Sequence, residues 1–486
     1  MNDIRVEAHL KNYIDGNWKN ASDGRVIEKV SPVTGETLNY IPRSSEADVE
    51  EATEAARLAL TTWREFSYQK RSHYLDQIAD GIEAKLEEFA LAETLDTGKP
   101  LSLALEMDIS RAIHNFRFFA EMVRQDSTAC HEMDYAFNYT HRMPVGVAAL
   151  ITPWNLPLYL LSWKVAPALA MGNTVVAKPS ELTPHTATLL ARVIEETQVP
   201  RGVFNLVHGY GDEAGFALVS HPEIHLVSFT GGTETGQKVA VACAPLFKKV
   251  SLELGGKNPT LIFKDADLEK AVQGAVRSSF LNQGQICLCG SRLLVEKSIY
   301  SQFKERFVAE VEKLTPSDPR KKESRFGSLI SEAHLEKVVA SVEVAKKEGG
   351  KILCGGKRVL LDGELSQGYY FAPTVIEGLS HQSVTAQTEI FGPVVSLHPF
   401  EGEKEALFLA NSTSYGLSAS LWTNDLKRAH LFSQKLEVGM VWVNTWLLRD
   451  LRVPFGGIKK SGLAREGGTH SLDFYSEQKN ICINLS

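Results

Sequence analysis

Between about residues 145 and 265, short apolar runs alternate with longer amphipathic stretches. The runs Val145 to Ile151, Thr174 to Ala177, Phe204 to Val207, Leu226 to Phe229 and Thr260 to Phe263 have the length and β-branched content of buried parallel strands. The segments between them, such as Pro184 to Thr197, have the spacing of crossover helices. This alternation predicts an α/β fold with a doubly wound sheet, whose ligand site lies beyond the carboxyl ends of the strands. Upstream, the Ala/Glu-rich stretches Ala47 to Trp63 and Arg71 to Asp96 predict helices that cover the sheet. A second strand and helix series starts after Gly255 and runs to about Gly457, with Leu293 to Val295, Val394 to Ser396 and Met440 to Val443 as strands. The sequence contains no internal repeat, low-complexity tract or long linker.

At 486 residues the chain is too long for one hydrophobic core, which predicts two or three domains. A hydrophobic content of 43% with 23% charged residues excludes disordered and fibrous classes. With a net charge of -7 and no long basic run, no nucleic-acid partner is expected. Met1 to Glu7 lacks the basic and then apolar pattern of a secretory leader. The longest apolar region, Val145 to Val176, is interrupted by Pro153, Asn155, Pro157 and Lys164, so no membrane crossing is expected. Six sparse, irregularly spaced cysteines fit a reducing, cytoplasmic compartment better than a disulfide framework. No spaced Cys or His set predicts a metal.

Three places carry candidate chemistry. Cys287 follows an amphipathic stretch from Asp267 to Phe280 and a break at Asn282, Gly284 and Gln285, which puts it on a braced loop. An isolated cysteine reads equally as a small buried hydrophobe. Glu253 lies among apolar residues just before Gly255 and Gly256; it reads either as a desolvated general base or as a buried partner of Lys257. Pro153 and Pro157 stiffen the backbone around Asn155, whose amide then suits an oxyanion. Glycine turns after strands, at Gly211 and at Gly231, Gly232 and Gly236, suit either pyrophosphate or close packing. Lys178 and Glu181 follow a strand end, where they form a surface ion pair or bind ribose hydroxyls, Glu181 then favouring NAD over NADP.

Taken together these residues resemble the aldehyde dehydrogenase superfamily over nearly the whole chain. The signature F-x-N-x-G-Q-x-C-x-x-x-x-R maps onto Phe280, Asn282, Gly284, Gln285, Cys287 and Arg292 and selects Cys287 over Cys289. E-L-G-G-K maps onto Glu253 to Lys257, P-W-N-x-P onto Pro153 to Pro157, and K-P-S-E onto Lys178 to Glu181. Glu389 and Phe391 match the segment that holds the nicotinamide ribose. Gly232 departs from the Ser that many members carry there. The resemblance implies a Rossmann-like cofactor domain, an α/β catalytic domain and a small β oligomerisation arm. It also implies Thr152, Pro153, Trp154, Phe229 and Leu254 as further contacts to the cofactor, NAD. The implied reaction begins when the Cys287 thiolate adds to an aldehyde and Asn155 holds the oxyanion. Hydride passes to NAD, and water activated by Glu253 hydrolyses the thioester.

The segments containing Arg117 and Arg449 look like the muconic semialdehyde branch, whose members oxidise 2-aminomuconate or 2-hydroxymuconate semialdehyde. Arg117 and Arg449 are expected to grip the distal carboxylate, with Leu158 and Phe455 lining the site. For each arginine an ion pair, Arg117 with Glu121 or Arg449 with Asp450, is the alternative. Another aldehyde, such as betaine aldehyde or an aliphatic one, is the alternative substrate. By resemblance, 1–123 and 144–253 form the NAD domain, 254–457 the catalytic domain, 124–143 and 472–486 the arm, and 458–471 a return segment. Asp134 to Thr140 and Asn480 to Asn484 have strand-like composition suited to pairing with another subunit in a homodimer or homotetramer.

Overall fold

Four of the apolar runs lie side by side as parallel strands in a computed structural model that describes residues 7–486. Residues 1–6, most of the stretch read for a secretory pattern, lie outside the described residues. Across the eight-stranded sheet the order is Asn17–Lys19, Asn12–Ile14, Phe204–Leu206, Thr174–Lys178, Val147–Ile151, Ile224–Thr230, Lys249–Glu253 and Gly462–Leu463. The middle five strands are parallel. Val147–Ile151 comes first in the chain among them and sits at their centre, so the winding direction reverses at its carboxyl end. That reversal opens a crevice. Alternate residues of this strand feed opposite cores: Ala148 and Leu150 pack with Leu75, Phe116 and Leu161, while Val147 and Ala149 pack with Val49 and Leu218.

Two expectations change. The run at Thr260 belongs to the second sheet as Asn258–Ile262, and the fifth parallel strand of the first is Lys249–Glu253. The latter alternates polar with apolar residues and ends in a carboxylate, so it shows no continuous apolar run. The helical stretch from Arg71 to Asp96 is two helices, Tyr68–Ala84 and Leu86–Thr97, broken where Lys85 takes φ -115° and ψ 24°. Composition does not mark such a break, because Lys is a good helix former.

The seven-stranded second sheet has the order Lys351–Cys354, Thr374–Glu377, Val394–Phe400, Gly290–Glu296, Asn258–Ile262, Ser418–Trp422, Met440–Val443. Only its first strand is antiparallel. A separate three-stranded antiparallel sheet joins Cys130–Met133 and Ala136–Pro144 to Ser476–Asn484, in register from Ser476 opposite Pro144 to Asn484 opposite Ala136. Among the described residues no helix is long and apolar enough to cross a membrane. All six cysteines are unpaired. No group of three or more His, Cys, Asp or Glu comes together among the described residues in a way that would hold a metal.

Candidate active site

The crevice is a cavity of about 270 Å³, lined at one end by Gly231, Gly232 and Glu389, in the middle by Asn155, Glu253 and Cys287, and at the other end by Arg449. Cys287 reaches it from a tight left-handed turn. Asn282, Gln283 and Gly284 take φ values of 52°, 55° and 69° immediately after the helix Leu268–Phe280, which Asp267 caps. Two successive non-glycine residues in this region are strained, and the surrounding packing must hold them there. Asn258 Nδ2 then donates to the carbonyls of both Cys287, at 2.7 Å, and Cys289, at 2.9 Å. Gly256 permits that approach: a Cβ there would lie 2.7 Å from Asn258 Oδ1 and 3.0 Å from the Cys287 carbonyl. Cys289 is buried in the apolar cluster beneath the site. The signature residue Arg292 is structural, donating to the carbonyls of Lys257, Leu409 and Ala410.

Burial pushes the Cys287 thiol well above its ordinary value, and the charges of Glu389 and Glu253 add to the effect. Glu253 is likewise raised well above a normal carboxylate, first by burial and second by the negative charge of Glu466. Lys164 pairs with Glu466 at 2.8 Å and, with Arg449 and Arg465, pulls the other way. Lys257 forms no ion pair with Glu253 among the described residues, so the structural alternative for this carboxylate does not hold. Glu253 Oε1 is buried with no hydrogen-bond partner. Asn155 gives one amide hydrogen to the Gln285 carbonyl at 3.0 Å, which leaves its second N–H. The Asn155 carbonyl is itself held by Asn282 Nδ2 at 3.1 Å.

The expected dinucleotide residues gather on the carboxyl edge of the first sheet. Ile151 is in register with Lys178 and with Phe229, and Thr230 with Glu253, so Thr152, Lys178, Gly231 and Glu253 emerge together. Pro153, Trp154, Gly231, Gly232, Leu254, Glu389 and Phe391 line the cavity. Thr152, Lys178, Glu181, Gly211, Phe229 and Gly236 lie along the same edge but outside its lining. Lys178 is buried, with Nζ 3.0 Å from the Pro179 carbonyl and 3.8 Å from Glu181. Gly236 packs on Leu254, where a Cβ would come within 2.4 Å.

This edge fits a dinucleotide. Gly232 begins the helix Thr233–Cys243 with no side-chain cap, and a Cβ added at Gly232 meets nothing within 4 Å. The hydroxyls of Thr152 and Thr230 are buried without partners. Both features suit an anion lying against first-turn N–H groups. Glu389 accepts from the Gly256 N–H at 2.9 Å, and burial pushes its carboxyl up to about 7. Phe391 takes φ 61° and meets Trp154 edge-on at 5.3 Å. His334, which the sequence reading missed, packs against Trp154 and bonds to the Phe391 carbonyl at 2.8 Å.

The far end of the cavity is cationic. The Arg449 guanidinium stacks 3.9 Å from the Phe455 ring centroid and 4.6 Å from that of Trp163, and its Nη1 donates to Tyr159 at 3.0 Å. Its Nε and Nη2 are buried without partners. Asp450, offered as its alternative partner, pairs with Arg452 at 2.5 Å instead. Arg117 is a correction: it lies outside the cavity, paired with Asp80 at 2.9 Å and with Glu83. Arg111, on the same helix, comes nearer without lining the cavity: its guanidinium lies 5.4 Å from the ring centroid of the lining residue Tyr159, and its Nη1 is buried and unpartnered among the described residues. Leu158 is also a correction, since it is fully buried in the core, while its neighbours Tyr159 and Leu160 line the cavity with Phe455.

The profile described as "Aldehyde dehydrogenase family" matches residues 18–481. A human protein named 2-aminomuconic semialdehyde dehydrogenase is 48% identical over 481 residues, covering 98% of each chain. A Pseudomonas protein named 2-hydroxymuconic semialdehyde dehydrogenase is 46% identical, covering 98% of this chain and 99% of its own. Among solved structures, the NAD+ complex of an aldehyde dehydrogenase from Bacillus cereus superposes with a TM-score of 0.96 at 38% identity, covering 99% and 98% of the two chains.

Proposed function

Because the chain belongs to the aldehyde dehydrogenase family, we propose that it oxidises a carboxylate-bearing muconic semialdehyde, 2-amino or 2-hydroxy, to the dicarboxylic acid with NAD. One observation carries the choice of substrate. Arg449 is half-buried at the end of the cavity, without a carboxylate partner among the described residues and with two buried, unsatisfied nitrogens. A buried charge left unpaired is costly, and an anionic group on the substrate relieves that cost. Arg111 adds a second unpaired cation across Tyr159. The same pair would repel the quaternary ammonium of betaine aldehyde.

In this reading Gly231, Gly232 and the first turn of Thr233–Cys243 would hold the pyrophosphate, Lys178 and Glu181 would hold one ribose, and Glu389 and Phe391 the other. When bound, NAD supplies the acceptor for the two electrons that leave the aldehyde carbon. Cys287 gives its proton to a solvent water as the sulfur adds to that carbon, and the second amide hydrogen of Asn155, with the Cys287 main-chain N–H, stabilises the oxyanion. Once the acyl group is a thioester, Glu253 in its ionised form takes a proton from the attacking water and the acid is released.

Residues 1–123 and 144–253 then form the cofactor part, 254–457 the catalytic part, 124–143 with 472–486 an assembly arm, and 458–471 the return segment. Membership of the first sheet by Gly462–Leu463, and of the separate small sheet by Ser476–Asn484, supports this division. The unpaired edges of that small sheet suit a homodimer or homotetramer. Six free cysteines support a cytoplasmic setting.

The test is an NAD-reduction screen of 2-hydroxymuconate semialdehyde, its 2-amino analogue, betaine aldehyde and straight-chain aldehydes. The muconic substrates should give the highest kcat/KM. Faster turnover of betaine aldehyde or of a neutral aldehyde would reject the proposal.

A further inference from the structure

Behind the cavity one group of charges is completely enclosed. Lys99 Nζ lies 2.9 Å from Asp108 Oδ1, 3.3 Å from Glu93 Oε1 and 3.1 Å from the Asn155 carbonyl oxygen. None of the three side chains reaches solvent. The remaining carboxyl oxygens, Glu93 Oε2 and Asp108 Oδ2, have no hydrogen-bond partner. One ammonium thus serves two carboxyls. Burial raises both carboxyls above their ordinary range, while the Lys99 charge pulls them back down. Such a cluster is an expensive way to fill space, because apolar side chains of the same volume are often as stable or more so.

What it touches gives it a purpose. Asp108 lies in a π-turn, Ala104–Ile109, that interrupts the helical run just before Ser110–Arg124. Such turns re-aim the residues around them and recur at functional sites. This one presents Met107 to the cavity, and the following helix starts with Arg111 in its first turn. On the other side, Lys99 shares the Asn155 carbonyl with Asn282, which belongs to the strained turn before Cys287. The lysine is therefore the point where the amide loop, the nucleophile turn and the helix carrying Arg111 are tied together.

We propose that Lys99 is a positioning residue for the reaction: by holding the Asn155 main chain against Asp108 and Glu93, it aims the Asn155 amide at the developing oxyanion. This rests on the reading of Asn155 as the oxyanion donor. Lys99 itself does not touch substrate, and its effect passes through the 155 peptide.

The experiment compares full-length Lys99→Met, Asp108→Asn and Asn155→Ala with the unmodified enzyme, measuring kcat per Cys287 thiol alkylated by iodoacetamide and counted on its own peptide by mass spectrometry, since Cys130 and Cys482 are also free and exposed, together with KM for NAD. Lys99→Met should lower kcat per titrated thiol by about 10- to 100-fold, leave KM for NAD unchanged and leave the alkylation rate unchanged. Asp108→Asn keeps Lys99 but loosens its anchor, and should lower kcat by about 3- to 10-fold. If Lys99→Met does not fold, the Asp108→Asn result decides. A lysine needed only for folding would reduce melting temperature and the yield of titratable thiol at an unchanged kcat per thiol, and that result overturns the proposal. Asn155→Ala separates the two layers. If it loses turnover while both hub variants keep theirs, the tether is wrong and the oxyanion reading stands; if it keeps full turnover, the reading of Asn155 falls and the tether with it.

Discussion

At the glycine-rich end of the cavity, main-chain atoms and small side chains face inward: Gly232 leaves open space at a helix start, a Cβ on Gly231 would come within 2.4 Å of the Phe229 ring, and the hydroxyls of Thr152 and Thr230 have no partners among the described residues. At the opposite end the wall is made of large side chains, with one guanidinium held between two aromatic rings. The first surface recognises through the backbone, so many sequences can supply it once glycines allow close approach. The second depends on where each long side chain points, Tyr159 and Leu160 from a helix face and Arg449 and Phe455 from the loop that follows the strand Met440–Val443. In the proposed reading, recognition of the cofactor and discrimination among aldehydes fall to different kinds of structure.

Removing the sulfur between the two ends should have the largest effect. Cys287→Ala is expected to lower NADH formation by at least about 10⁴-fold, while NAD still binds with unchanged affinity by fluorescence titration. Retained turnover would end the assignment of the nucleophile. Next comes the cationic end: Arg449→Ala should raise KM for a muconic semialdehyde by roughly 30- to 1000-fold, with little change for a neutral aldehyde or for NAD. Equal losses on both aldehydes would merge the two ends into one structural unit and break the comparison.

A smaller change should appear in the pH profile. Glu253 has a raised value, so its basic form appears only as pH rises, and deacylation should climb with pH and be lost as pH falls. Glu466→Gln removes a negative charge that keeps Glu253 protonated, so the rising limb should move to lower pH by about one pH unit. A shift to higher pH would show that Glu466 acts on Glu253 by another route. The smallest effect belongs to Arg117. Exposed pairs are worth little, and Arg117→Ala should change every kinetic constant by less than about twofold. A selective rise in KM for the acid-bearing aldehyde would return Arg117 to the site.

The same contrast governs what the sequence made legible. Cys287, Glu253 and Asn155 stand in short runs whose turn residues and prolines act locally, and all three line one cavity. Most parallel strands announced themselves as apolar runs; Lys249–Glu253, Thr374–Glu377 and Ser418–Trp422 did not, and the alternating pattern of the first concealed a strand covered on its second face by tertiary packing. Arg117 and Arg111 lie on one helix, six residues apart and therefore about 120° around its axis. Only Arg111 shares a face with Asn115, four residues on, whose buried amide bonds to the Tyr159 carbonyl at 3.2 Å. That i, i+4 relation was present in the sequence, but its meaning depended on knowing that Asn115 points inward. Leu158 fails for the same reason: one step along a helix turns a side chain by about 100°, and Tyr159 took the position facing the substrate. The raised value at Glu253 was foreshadowed by its apolar neighbours, whereas the rise at Cys287 was not, since it follows from how completely the folded chain excludes water.

The small antiparallel sheet has a consequence for the birth of the protein. Arg142 and Ser476, which meet across it, are 334 residues apart along the chain. At translation rates of about 5–20 residues per second, the 136–144 strand leaves the ribosome on the order of half a minute before its partner exists. Throughout that interval its unsatisfied edge is open to any other nascent polypeptide, so a holding chaperone has the most to protect there.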